Sequence, residues 1–175
     1  MRINNIPPWA ESDSHLMAEI REIKMLPKTL CKSLRSKSGF NWKRIPTKYK
    51  LNTGHGLFFY DKIPYIERRF KMLIEEGLSR GLDLQEKTTN LYDPEYDYSI
   101  IDKFKNRMTD WEPDYEAMTV CVARIMDRIE EKVFRDNQPN FYKMLKKNVS
   151  YEEWKDYYNK FLFFANKNTK LERIA

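Results

Sequence analysis

The sequence predicts an all-α fold: one compact single domain of three main helices with an extra C-terminal helix. Apolar residues return every three to four positions in four separate stretches. Glycine is scarce, at five residues in 175, which suits long helices better than a sheet with many tight turns. Helix-start residues (Ser, Asp and Pro) stand at the heads of the first, second and fourth of these stretches. A chain of this length supports one core. Its apolar content of 41% and aromatic content of 14% predict a folded chain rather than a disordered one.

The elements follow in order. Ser12 or Asp13 can cap a first helix that runs from about Ser14 into the mid-thirties. In it Leu16, Ile20 and Ile23 make an apolar stripe, and His15, Ala18, Glu19 and Glu22 take the other side. Pro27 lies inside, which predicts a kink or short break near Met25. Residues 36–51 read as a loop. Gly54 and Gly56 permit close backbone approach, and His55 between them reads as a packed or capping residue, with phosphate contact as the alternative. Asp61 can cap a second helix with Pro64 in its first turn; Ile63, Ile66, Phe70, Leu73 and Leu78 keep helical spacing up to Gly81.

Residues 83–113 form a polar, Tyr-rich connection with room for a short helix over 99–108. A third helix spans about 115–135, with Met118, Cys121, Ile125, Ile129 and Val133 on one face. Ser150 and Glu153 make a capping box for a fourth helix reaching about Asn166. The expected organisation is a domain over 1–143 and a helical extension over 144–175 packed on it. The aromatics of that extension, Trp154, Tyr157, Tyr158, Phe161 and Phe164, would cover the core. Lys146, Lys147 and Lys155 offer added DNA contact as the other option.

Several functional classes drop out. No apolar run approaches the roughly 18 residues of a membrane helix, and no signal-peptide pattern opens the chain. Cys31 and Cys121 have no redox or metal spacing, and Cys121 falls in a helical apolar stripe. No phosphate-binding glycine loop, zinc motif or nucleophile elbow is present. The expectation is a reducing compartment: cytoplasm, or the nucleus where a host is eukaryotic.

Net charge is +6, and its distribution carries more than its size. Between Glu22 and Asp61 there is no acidic residue, while Lys24, Lys28, Lys32 and Arg35 recur at helical spacing. On one helix they form a cationic ridge that repels itself, and a polyanion would relieve it. The acids collect further on, among them Asp93, Glu95, Asp97, Asp102, Asp110 and Glu112. The competing reading is a solvated face neutralised in space by those distant acids.

The segment His15 to Lys24 reads H-L-M-A-E-I-R-E-I-K. Glu22, flanked by Arg21 on a rigid helix, is placed for acid/base work; a plain solvated helix face has the same pattern.

At these residues the chain resembles the pyrimidine-dimer DNA glycosylase/AP lyases of bacteriophages and chlorella viruses, the phage endonuclease V family. The matching runs are R-I-N at Arg2 to Asn4, H-L-M-A-E at His15 to Glu19 and R-E at Arg21-Glu22. A second block has G-H at Gly54-His55 and F-F-Y-D-K at Phe58 to Lys62, with the helix after it through Arg80-Gly81. A third has Arg128, Glu130-Glu131-Lys132, Pro139 and Phe141-Tyr142-Lys143. The resemblance covers most of residues 1–143, and the tail past Met144 is longer than in the smallest members.

The resemblance implies an all-α enzyme with no metal and no cofactor, acting as a monomer on double-stranded damaged DNA. It implies that the α-amino group of the first residue attacks C1′ of the damaged nucleotide, that an imine forms and that β-elimination nicks the strand. A free α-amine ionises near pH ~8, so part of it is neutral and nucleophilic under physiological conditions. By position the assisting glutamate is Glu22. Arg2, Arg21 and Lys28 would grip phosphates, with Lys24 and Lys32 on the ridge. Arg128 and Lys132, one turn apart, would extend that surface together with His15, and Phe141 and Tyr142 would pack beside the distorted duplex.

The chain also departs from the pattern. Met1 stands where the phage members present Thr after trimming. Methionine before a bulky Arg is not normally removed, so Met1 itself is expected to carry the amine. Ser14 replaces a Gln beside the lesion. Lys28 replaces an Arg after a two-residue insertion and lacks bidentate phosphate geometry. Three functional readings follow: a dimer-specific glycosylase/AP lyase, the same lyase on another lesion or modified base, and a non-catalytic DNA-binding protein.

Overall fold

The structure, a computed structural model, describes residues 3–167. Among these, helices dominate and the sheet is a single two-stranded hairpin, so the chain is mostly helical as expected. It divides into two compact units, Met1–Ile3 with Ala18–Glu112, and Asn4–Met17 with Pro113–Ala175.

Helix α1 (Asp13–Ile23) begins in the second unit and ends in the first. Ser12 is its cap: the His15 N–H donates to Ser12 Oγ at 3.1 Å. The expected single long helix is instead two, with α2 (Met25–Leu34) starting after a break at Lys24. Pro27 has no N–H and its ring crowds the carbonyl four residues back, at Ile23, so the helix restarts with Pro27 in its first turn.

Further along the first unit, a short α3 (His55–Phe58) precedes α4 (Ile63–Ser79). Pro64 stands in the first turn of α4 as expected, but Asp61 does not cap it. Its carboxylate pairs with the neighbouring Lys62 ammonium at 2.6 Å instead. Gly81, at φ +61, closes α4: the Leu82 N–H reaches back to the Gly77 carbonyl at 3.0 Å. Helix α5 (Ser99–Asp102) is the short helix expected in the connection. The buried centre of this unit includes Ile20, Ile23, Leu26, Leu30, Ile66 and Leu73.

The second unit is built on α6 (Tyr115–Glu130), whose cap the sequence reading missed: Asp114 accepts the Ala117 N–H at 2.8 Å. Cys121, Ile125 and Ile129 are buried in its stripe as expected. A π-turn over Glu131–Arg135 then shifts the register, and Val133 ends only half-buried.

Strands β1 (Lys143–Met144) and β2 (Lys147–Asn148) pair antiparallel. Their two-residue turn places Leu145 and Lys146 at φ 50 and 65, the left-handed pair that such a hairpin needs. Neither residue is Gly or Asn, so the hairpin had no sequence signal. The Asp13 carboxylate supports it, accepting the Leu145 and Lys146 N–H groups at 3.2 and 2.7 Å.

Helix α7 (Tyr151–Asn166) has the expected capping box. The Glu153 N–H donates to Ser150 Oγ at 3.3 Å, and the Ser150 N–H to the Glu153 carboxylate at 2.7 Å. Those bonds hold the Glu153 carboxyl below its usual range. Trp154, Tyr158 and Phe161 are buried, with the Tyr158 hydroxyl on the Ala10 carbonyl at 3.0 Å; Phe164 is exposed. Replacing Ser150 with Ala is expected to lower stability by about 1 kcal/mol, read from urea unfolding followed by circular dichroism.

Candidate active site and nucleic-acid interface

Met1 and Arg2, expected as nucleophile and phosphate ligand, lie outside the described residues. The residue that follows them is fixed. Ile3 is fully buried in the first unit. Its N–H donates to His55 Nε2 at 3.3 Å, and its carbonyl accepts from the Tyr49 hydroxyl at 3.5 Å. An imidazole nitrogen accepts only when it carries no proton. His55 is brought there by Gly54, whose φ of +123 turns the chain into α3. A Cβ at Gly54 would meet Lys50 Cε at 2.5 Å, so a side chain there demands movement. The His55 ring is held edge-on by Tyr49 and Phe59, each 5.6 Å away.

In the second unit the next two residues are anchored by other means. The Asn5 N–H donates to Cys121 Sγ at 3.2 Å. Arg124 donates to the Asn4 side-chain carbonyl, while Asn4 Nδ2 donates to Glu11 at 3.0 Å.

Glu22 is half-buried on the last turns of α1, and Arg21 beside it is exposed. One turn back, Glu19 is fully buried and meets Arg69 of α4 in a two-bond fork, Nε to Oε1 at 2.9 Å and Nη2 to Oε2 at 3.1 Å. This pair locks the segment that carries Glu22 onto α4. A buried carboxylate needs such a partner, because water is not there to solvate it.

The ridge is partly neutralised by acids from further along the chain, which agrees with the competing reading of a face neutralised in space. Asp93 lies 3.5 Å from Lys28, and Asp97 lies 2.6 Å from Arg35. Tyr96 sits between them, its ring 4.9 Å from the Lys28 ammonium and its hydroxyl accepting from Arg35 at 3.2 Å. These acids thus strap across α2. Hydrogen bonds from Ser99, with Arg35 adding to them, hold the Asp97 carboxyl below its ordinary range. Lys24 donates to the Lys87 carbonyl, and burial pushes its ammonium pKa down. Lys32 stands exposed.

Beside this ridge a cavity of about 710 Å³ opens, with Arg21, Lys24 and Lys28 on one wall and Lys87, Tyr92 and Tyr98 on the other. The Tyr92 phenol is pushed well up by burial and by its bond to Glu67 at 2.6 Å. Glu86 and Asp93 line it as well, and the Tyr92 and Tyr98 rings pack edge to face at 4.9 Å. Sequence reasoning did not bring these walls together because the second comes from the 83–113 connection.

In the second unit four of the expected residues form one cluster. His15 and Tyr142 stack with centroids 4.5 Å apart and planes 4° from parallel. Phe141 meets Tyr142 at 4.8 Å, and the Lys132 ammonium lies 4.9 Å over the Phe141 ring. His15 and Tyr142 are 3% and 8% exposed, so their ring faces are covered and they support the cluster. Phe141, at 45% exposure, faces solvent. Lys132 also pairs with Asp136 at 2.8 Å, and exposed Arg128 pairs with Glu131 at 3.2 Å.

A cationic ridge on a helical protein suits contact with a polyanion. The family model for pyrimidine dimer DNA glycosylase matches residues 1–90, just over half of the 175. The chain belongs to this family, and is a DNA repair glycosylase whose substrate is DNA. The matched residues take in the first two blocks of sequence resemblance, and the third, from Arg128 to Lys143, lies beyond them. No helix among the described residues is long and apolar enough to cross a membrane.

Proposed function

We propose that the protein excises cyclobutane pyrimidine dimers and nicks the strand, as a combined glycosylase and AP lyase, with the α-amine of Met1 as nucleophile and Glu22 as proton carrier. The amine nitrogen forms a bond to C1′ as the glycosidic bond breaks, and the base leaves with that electron pair and takes up a proton. Opening of the C1′–O4′ bond, with the proton delivered to O4′, leaves an iminium. Removal of a C2′ proton then expels the 3′ phosphate, and water releases the amine. Glu22 serves the proton steps at O4′ and C2′.

The observation that carries this reading is the anchoring of Ile3. Both backbone groups of a residue two positions from the first amine are held in the unit that also carries Glu22. A protein using only its basic ridge would have no need of a buried N-terminal segment held at both backbone groups of Ile3. Arg21, Lys24, Lys28 and Lys32 would bind phosphates, and the cavity beside them would receive a nucleotide displaced from the stack, as enzymes acting on bases require. Arg2, Arg128, Lys132 and Phe141 would complete the duplex contact.

Borohydride is expected to trap the protein on dimer-containing and on abasic duplex, with the adduct mapping to Met1 by peptide mass spectrometry. Failure to trap on either duplex overturns the lyase. The Ser14 hydroxyl donates to the Phe141 carbonyl at 3.3 Å and is committed within the protein, which favours a second reading in which the lesion is another one. A panel of damaged duplexes in the same trapping assay separates the two.

A further inference from the structure

We propose that His55 is a positioning residue for the N-terminal nucleophile, an inference that rests on the α-amine reading above. Residues 3–5 belong to no regular element, and no strand among the described residues pairs with them. A buried backbone N–H must still find an acceptor. For Ile3 that acceptor is a side chain, His55 Nε2. Any ring of similar size would fill the space between Tyr49 and Phe59, but only an acceptor can hold this N–H.

Holding Ile3 limits where the amine can go. Two residues of extended chain reach at most about 7 Å, so the nucleophile moves within a short tether. Attack on C1′ needs the reacting atoms roughly 3–3.5 Å apart. His55 is buried, at 6% exposure, and on this proposal acts through the backbone of Ile3. The Tyr49 hydroxyl on the Ile3 carbonyl completes the clamp, and Tyr49 is itself caged by Phe58 at 5.6 Å and Trp111 at 6.4 Å.

The test uses the full-length protein, abasic duplex and single-turnover borohydride trapping. His55→Leu keeps an apolar body and removes the acceptor; His55→Gln restores one, its amide oxygen, near the Nε2 position. The expected trapping rate for His55→Leu falls on the order of ten- to hundredfold, with duplex affinity unchanged and His55→Gln recovering most of the rate. A His55→Leu protein that traps at the wild-type rate overturns the positioning role, as does a His55→Gln protein as slow as His55→Leu.

A second measurement needs no variant. In nitrogen-15 spectra of the wild-type protein His55 is expected as the Nδ1–H tautomer with a bare Nε2, and the Ile3 amide protected from exchange. An Nε2–H tautomer overturns the proposal, since that atom cannot then accept. A wild-type adduct that maps to a side chain rather than to Met1 removes the nucleophile reading and this inference with it. A Met1 adduct beside an unimpaired His55→Leu removes only the inference.

Discussion

Glu22→Gln is expected to cut the rate of strand nicking by roughly 10²- to 10⁴-fold, the range associated with a positioned acid/base group, while binding of dimer-containing duplex stays near that of the wild type. The substitution preserves size and removes the charge together with the ability to take and deliver protons. Glu22 lies half-buried on α1, where glutamine fits the same space. The measurement is single-turnover cleavage of dimer duplex beside a mobility-shift titration. Nicking at the full rate by Glu22→Gln would take the residue out of the mechanism; loss of binding in step with nicking would make it a structural group.

Arg69→Ala is expected to produce the largest loss of stability, about 3–5 kcal/mol, because it leaves the Glu19 carboxylate buried without its guanidinium. Glu19 is fully buried, and the fork to Arg69 is made of two bonds of ordinary length. Urea unfolding measures the loss directly. Replacing both partners, Glu19→Leu with Arg69→Met, is expected to recover most of it, since an apolar pair has no charge to strand. A single Arg69→Ala change that costs under about 1 kcal/mol would mean that water reaches Glu19 and that the pair does not hold α1. The two carboxylates, one turn apart on one helix, thus carry opposite expectations: loss of nicking for Glu22→Gln and loss of stability when Glu19 is stranded.

Much of the fold was legible because its signals are local. Pro27 announces the break between α1 and α2 by its missing donor, and Ser150 with Glu153 announces α7 by a reciprocal pair three residues apart. What failed had causes that no start or stop signal displays. Asp61 has the right position to cap α4, but Lys62 at 2.6 Å competes for its carboxylate. The 143–148 hairpin carries no turn residues because Asp13, more than a hundred residues away in sequence, supplies the acceptors.

The candidate site divides the same way. Glu22 and the ridge were readable from helical spacing together with the resemblance at R-I-N and H-L-M-A-E. That Asp93 and Asp97 lie on the ridge, and that His15 and Tyr142 are buried against each other, depends on tertiary pairing that no spacing rule encodes.

The acidic strap across α2 bears on how such a protein would travel along undamaged DNA. Nonspecific affinity scales with the number of phosphates whose counterions are displaced. Lys28 and Arg35 already hold internal carboxylates, so neither enters that count until its partner is given up. Both pairs are solvent-exposed, so each is worth at most about 1 kcal/mol and lowers nonspecific affinity only slightly.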